Sequence, residues 1–267
     1  MNNYRDITLT SVLQKLLEKI MYRRKVKRCS KIEFPHKFQQ GFRPQCGSIT
    51  AAFTVKESIC HYLERNAVFL DNAKALNSVW IQGLQYMVYK LGFNGNFLKI
   101  LNDSFHGVTA YELYNGQKSK EYPIEQGAGQ GRTLTAWLFL VMINGLATKF
   151  EVSGLGLSIK NLHIPCDFLA DLLLATSIRN LQLQLDIVHG YANTWRLNCN
   201  SSKSLLMQFT CRKLPPKEPE VQCYIGNTPI FWETSKVYMG ITLCSILKLD
   251  NDMLIRAERG VQLLIAL

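Results

Sequence analysis

The chain has 267 residues, 47% of them hydrophobic and 10% aromatic, enough apolar material to bury a large core in one multi-part domain or two small ones. That composition excludes a disordered chain, and a formal charge of +11 favours a polyanionic partner. Over residues 1–45 there are 11 Lys and Arg against 3 acids, so +8 of the excess lies in the first sixth of the chain.

In chain order, residues 8–21 place Val12, Leu13, Leu16, Leu17, Ile20 and Met21 on one helical stripe after Thr and Ser that suit a helix start. The basic run 23–28, RRKVKR, follows at the helix's C-terminal end, where cations suit the dipole. Residues 39–48 are turn-rich, 49–66 read as a second helix, and 67–71, AVFLD, as a core strand with an acid at its C-terminal edge. Residues 79–106 read as helical with a break at Gly92 to Gly95. Residues 108–125 read as a hairpin around Asn115-Gly116, a strong turn dipeptide. The Gly-rich loop 126–132, QGAGQGR, opens an apolar helix over 133–150. Beyond it come a strand-like stretch at 162–175, a helix at 179–197 striped by Leu181, Leu185, Val188, Ala192 and Trp195, and a strand at 202–209. A loop at 213–220 and a last strand at 235–243 complete the series.

The eight cysteines include no CxxC pair and no His at ligand spacing, which argues against zinc or a disulfide framework and for free thiols in a reducing compartment. No N-terminal signal pattern is present, and the longest apolar run, 136–147, is too short to span a membrane and carries Asn144. The expectation is an intracellular chain, in nucleus or cytoplasm, with no membrane partner.

Two carboxylates stand out. Asp71 ends one apolar strand, and Asp171 interrupts another, FLADLLLA at 168–175. Isolated acids in apolar sequence more often form ion pairs or caps, but acids on neighbouring strand ends also suit a hard cation that takes a few carboxylates alongside substrate phosphates.

The order of the surrounding stretches decides between these. NYRDITLTSVLQKLLEKIM, QQGFRP, FLDNAKALNSVW, EQGAGQGRTLTAWLFLVMIN, FLAD, NCNSSKSLLM and VYMGITL, in that order, resemble the reverse transcriptase domain of non-LTR, jockey-like retrotransposons over nearly the whole chain. The resemblance implies an α+β right-hand polymerase fold. Its fingers segment would occupy 1–66, its palm with interleaved fingers elements 67–243, and the start of a truncated thumb 244–267. It implies magnesium- or manganese-dependent, RNA-templated DNA synthesis from a DNA primer and deoxynucleoside triphosphates. Asp71 and Asp171 match the metal-binding carboxylates. Arg43 matches the arginine that meets the triphosphate, Leu76 the residue beside the sugar, and Gln130 and Gly131 the loop that faces nucleotide and template. Lys203 matches the lysine near the pyrophosphate, and Tyr238, Met239 and Gly240 the strand that grips the primer. Taken singly, Arg43 also fits a surface ion pair, Lys203 a solvated strand start, and Gln130–Gly131 a simple turn.

The chain departs from the family where chemistry is concentrated. The pattern Ala-Asp-Asp has lost its second Asp, either replaced by Leu172 or deleted. Asp167 does not restore it, because four residues along a strand span roughly 13 Å. Leu76 stands where an aromatic ring is usual, Asn77 replaces an acid, and Gln45, Cys46 and Gly47 stand where Gly-Arg-Ser is usual. Asp6 and Gly129 each replace a proline. The expectation is a domain of impaired activity, with a non-catalytic nucleic-acid binder using the basic N-terminal segment as the alternative.

Overall fold

The computed structural model describes residues 8–32, 34–37, 39, 41–43, 46, 55, 64–71, 75–129, 131–159, 162–164, 172–210, 216, 218–238 and 241–246. In chain order the elements are α1 (Val12–Cys29), β1 (Glu64–Phe69), α2 (Ile81–Lys90), α3 (Gly95–Asp103), β2 (Thr109–Ala110), β3 (Leu113–Tyr114), β4 (Gln117–Lys118), β5 (Tyr122–Pro123) and α4 (Thr135–Ser153). There follow β6 (Leu157–Ile159), β7 (Leu162–Ile164), β8 (Leu172–Ala175), α5 (Ile178–Trp195), β9 (Leu205–Thr210), β10 (Tyr224–Ile225), β11 (Thr228–Pro229), β12 (Phe231–Trp232), β13 (Ser235–Tyr238) and β14 (Ile241–Cys244). The chain divides into two compact units, 1–36 with 72–145 and 191–198, and 37–71 with 146–190 and 199–267.

The second unit is organised on a four-stranded sheet in the order β12-β9-β1-β8. β1 sits between two antiparallel partners, with Phe69 opposite both Leu172 and Leu205, while β12 runs parallel to β9. Because side chains alternate along a strand, Ala67 and Phe69, Leu172 and Leu174, and Leu205, Met207 and Phe209 share one buried face with Leu157, Tyr238 and Leu243. The intervening Val68, Leu173, Ala175 and Leu206 are buried as well, so the strands read as unbroken apolar runs, as sheets covered on both faces do. Within this unit α5 contributes buried Leu181, Leu185 and Val188, and Gln184 Nε2 donates to the Leu174 carbonyl at 3.1 Å.

In the first unit Ser11 caps α1, its side chain accepting from the Gln14 amide at 3.2 Å. Phe34, Phe93 and Phe97 pack edge-on around Trp137, and the Asn144 side-chain oxygen accepts from the His36 amide at 2.7 Å. Asn115 and Gly116, at φ 48° and 77°, turn β3 into β4 as an Asn-Gly pair is expected to, since both positions need the left-handed region.

Several expectations change. The stretch 235–243 is not one strand: β13 and β14 pair antiparallel, Tyr238 opposite Ile241, leaving a two-residue connection of the length hairpins favour. Residues 64–66 belong to β1 rather than to a helix. The strand-like stretch 162–175 comprises β7, paired with β6, and β8, paired with β1. The apolar helix is 19 residues, longer than the continuous run inside it, and by length and composition alone it could cross a membrane. Most of it is buried, with Trp137, Leu138, Met142 and Phe150 almost wholly enclosed, as in the core helix of a packed domain. Finally, the apolar stripe of α1 faces outward at its N-terminal half, Val12 being 81% and Leu13 79% exposed, whereas Glu18, Met21 and Cys29 point inward.

Candidate active site

Asp71 lies two residues past the end of β1, where the apolar run stops. Its backbone is gripped on both sides by the turn that leads into β9. The Asp71 amide donates to Ser204 Oγ at 3.0 Å, and the Asp71 carbonyl accepts from the Asn200 amide at 2.6 Å. Ser204, 1% exposed, in turn donates through Oγ to the Asn200 carbonyl at 2.8 Å. That carbonyl also accepts from the amides of Lys203 and Ser204. Among the described residues the half-buried Asp71 carboxylate makes no hydrogen bond or ion pair. An acid fixed by its backbone and free at its oxygens suits a hard cation. Among the described residues no group of three or more His, Cys, Asp or Glu is arranged to hold a metal.

Lys203 is exposed within the same turn, so the structure brings Lys203 and Asp71 to one end of the sheet. β8 begins at that end, Leu172 lying opposite Phe69. Leu172 is 1% exposed and belongs to the core. Asp171 and Asp167 lie outside the described residues, as do Gln130, Met239 and Gly240. Tyr238 is buried, its ring 5.3 Å from that of Phe69 at an interplanar angle of 60°, which makes it part of the sheet's core. Arg43 is exposed and donates through Nη1 to the Lys37 carbonyl at 3.1 Å.

In the first unit the Gly-rich loop is fastened at both ends. The Ala128 amide donates to the Leu76 carbonyl at 2.8 Å and the Gly127 amide to the Val79 carbonyl at 2.9 Å, so Leu76 and the loop are brought together. Gly127 has φ 98°, and a Cβ there would stand 3.0 Å from the Asn77 carbonyl oxygen, so the close approach requires glycine. Thr135 Oγ1 donates to the carbonyls of Ala128 and Gly129. Gly131, at φ 102°, is exposed.

Two residues at this loop escaped the sequence reading. Glu18 of α1, 1% exposed, accepts from Arg132 Nε at 2.7 Å and from the Thr133 amide at 2.8 Å. Arg132 also lies over the Phe105 ring, 4.9 Å from its centre. The available signal was an acid three positions before Met21 on the helix's inward face.

A model of the reverse transcriptase (RNA-dependent DNA polymerase) family matches residues 1–243. The chain belongs to that family. It is 26% identical over 219 residues to the RNA-directed DNA polymerase from mobile element jockey of Drosophila melanogaster, covering 79% of this chain and 24% of that one. It is likewise 26% identical over 213 residues to the retrovirus-related Pol polyprotein from type-1 retrotransposable element R2 of Popillia japonica, covering 76% and 29%. This reverse transcriptase domain is thus similar to those of retrotransposable elements, and it spans under a third of the length of these curated relatives. Among solved structures it resembles telomerase from Candida albicans in complex with a fragment of telomeric RNA, with TM-score 0.59 and 10% identity over 86% of this chain and 37% of that one. Apo telomerase from Candida tropicalis matches with TM-score 0.52 and 11% identity over 90% and 48%. The fold is the right-hand polymerase fold, and the family implies a divalent metal cofactor.

Proposed function

We propose that this reverse transcriptase domain carries a weakened site for RNA-templated DNA synthesis, with Asp71 and Asp171 as its remaining metal carboxylates. The observation that carries the reading is the Asp71 carboxylate, without a partner among the described residues but fixed through Asn200 and Ser204 at the sheet end where β8 begins. A magnesium or manganese ion held by these acids would neutralise triphosphate charge and favour ionisation of the primer 3′-hydroxyl. Arg43 binds the triphosphate as a fork of donors, Leu76 lies against the sugar, and Gln130 and Gly131 meet nucleotide and template. Lys203 hands a proton to the departing pyrophosphate, and Tyr238, Met239 and Gly240 steady the primer end. In this reading residues 1–66 are fingers, 67–243 palm with interleaved fingers elements, and 244–267 the start of the thumb, in a chain working in nucleus or cytoplasm.

The buried position of Leu172 supports deletion of the second Asp rather than its replacement, because a carboxylate there would enter the core between Phe69 and Leu174 at a cost of several kcal/mol. Losing one metal carboxylate lowers the rate by about 10²–10⁴. The test is primer extension on poly(rA) and mixed-sequence RNA with magnesium or manganese, comparing the chain with a version carrying an Asp inserted after Asp171 and with Leu172→Asp. Strong extension by the insertion alone is expected. Full activity in the unaltered chain refutes impairment, and recovery by Leu172→Asp refutes deletion.

A second reading, binding without catalysis, is favoured by the exposed Lys15, Lys19, Arg23, Arg24 and Lys27 along α1. Affinity for RNA or DNA would then fall steeply with salt and ignore Asp71→Ala.

A further inference from the structure

We infer that Glu18 is a positioning residue for nucleotide binding, holding the Gly-rich loop 126–132 in register from the neighbouring helix. The inference rests on the polymerase reading, in which Gln130 and Gly131 face the nucleotide.

The loop has little rigidity of its own. Gly127, Gly129 and Gly131 all occupy the left-handed region, with φ 98°, 73° and 102°, and glycine loses more freedom on ordering than any other residue. Its first half is held by the amides of Gly127 and Ala128 on the backbone of residues 76 and 79. Its second half ends at Arg132 and Thr133, and both are held by one carboxylate. Glu18 Oε1 takes Arg132 Nε at 2.7 Å and Oε2 takes the Thr133 amide at 2.8 Å. Gln14 Nε2, one helical turn earlier, donates to Oε1 at 3.0 Å and fixes the carboxylate's rotamer. The Arg132 side chain is 10% exposed and fills the space against Gly129, where a Cβ would stand 2.7 Å from Arg132 Cδ. The Arg132 side chain thus folds back over its own loop, and Glu18 keeps it there. A buried pair that only stabilised the domain would serve anywhere in the unit. This one fastens the two residues that directly follow Gly131, next to the stretch assigned to nucleotide contact, where a displacement of about 1 Å weakens a bound geometry strongly.

This explains the inverted helix. Turning Glu18 and Met21 inward leaves Val12, Leu13, Leu16 and Ile20 outward, an exposure of apolar surface that the anchor makes unavoidable at helical spacing.

Two measurements on Glu18→Gln, Arg132→Gln and the double variant test this. The first is amide hydrogen exchange over 127–133, read against Asn66–Phe69 of β1. The second is the deoxynucleoside triphosphate concentration that half-stabilises a ternary complex with an RNA template and a chain-terminated primer. Glu18→Gln is expected to speed exchange over 127–133 alone. It should also raise the half-stabilising concentration about tenfold with template–primer affinity within about twofold, the double variant being no worse than either single one. Unchanged exchange over 127–133 overturns the inference. Faster exchange with unmoved nucleotide dependence overturns it too, since the anchor is then structural only. A parent chain with no nucleotide response at all overturns the polymerase reading beneath it, whatever the exchange shows.

Discussion

Ser204→Ala isolates the grip on Asp71. Ser204 Oγ accepts from the Asp71 amide at 3.0 Å and donates to the Asn200 carbonyl at 2.8 Å. Alanine removes both bonds, but unequally in effect. The Asn200 carbonyl keeps the amides of Lys203 and Ser204 at 3.2 and 3.0 Å, so little is lost there. The Asp71 amide keeps nothing, and an orphaned buried donor costs about 1–3 kcal/mol. Asp71 is only half-buried, which lets water in and places the expected loss toward the lower end, about 1–1.5 kcal/mol. Urea unfolding followed by far-ultraviolet circular dichroism measures it as a shift in midpoint at constant slope. Exchange at the Asp71 amide should accelerate in parallel. A loss below about 0.5 kcal/mol, within the range of an uninvolved surface substitution, would refute the claim that this hydroxyl fixes the acid.

Asp71→Asn should leave the fold's stability nearly unchanged without metal, because the carboxylate has no partner among the described residues to lose. It should abolish any rise in melting temperature that millimolar manganese gives the parent chain, and an equal rise in both proteins would remove Asp71 from the metal site. Cys223 is fully buried and its thiol is pushed up to about 11 by burial. A raised folded value means that its contribution is intact below the unfolded thiol's pKa and is lost as pH climbs through the folded one. Relative to Cys223→Ala, stability should therefore fall by about 1.4 kcal/mol per pH unit between roughly pH 9 and 11. Parallel pH profiles for the two proteins would contradict this.

Local patterns were legible wherever local physics decided the outcome. The apolar run ending at Asp71 gave β1 its C-terminal end, Asn115-Gly116 gave the turn, and Ser11 capped the first helix as a serine before a helical stripe should. The stripe of α5 over Leu181, Leu185, Val188 and Ala192 is buried as its period implied. What stayed hidden depends on residues distant in sequence. Nothing near Glu18 announces Arg132, so apolar periodicity rightly placed Met21 inward but wrongly placed Val12, Leu13, Leu16 and Ile20 there too. Nothing near Asp71 announces Ser204, which falls inside the strand expected at 202–209 although the strand begins only at Leu205. The reading of 235–243 as one strand failed because the run is β-prone on both sides of Gly240, and a single glycine does not by itself mark the point where it doubles back.

The register of β1 also governs how the chain must be made. Phe69 finds its partners at Leu172 and Leu205, so on the ribosome β1 emerges long before either neighbour exists. Until residues 172–175 have left the exit tunnel the apolar strand has two unpaired edges, and until 205–210 follow it still has one, a template for pairing with other chains. Closing such long loops is slow, whereas the hairpin at residues 109–123 can form at once. Synthesis halted between residues 175 and 205 would leave β1 with one edge permanently open. Yield of soluble protein on stepwise C-terminal truncation should therefore drop abruptly as β9 is removed, before any question of catalysis arises.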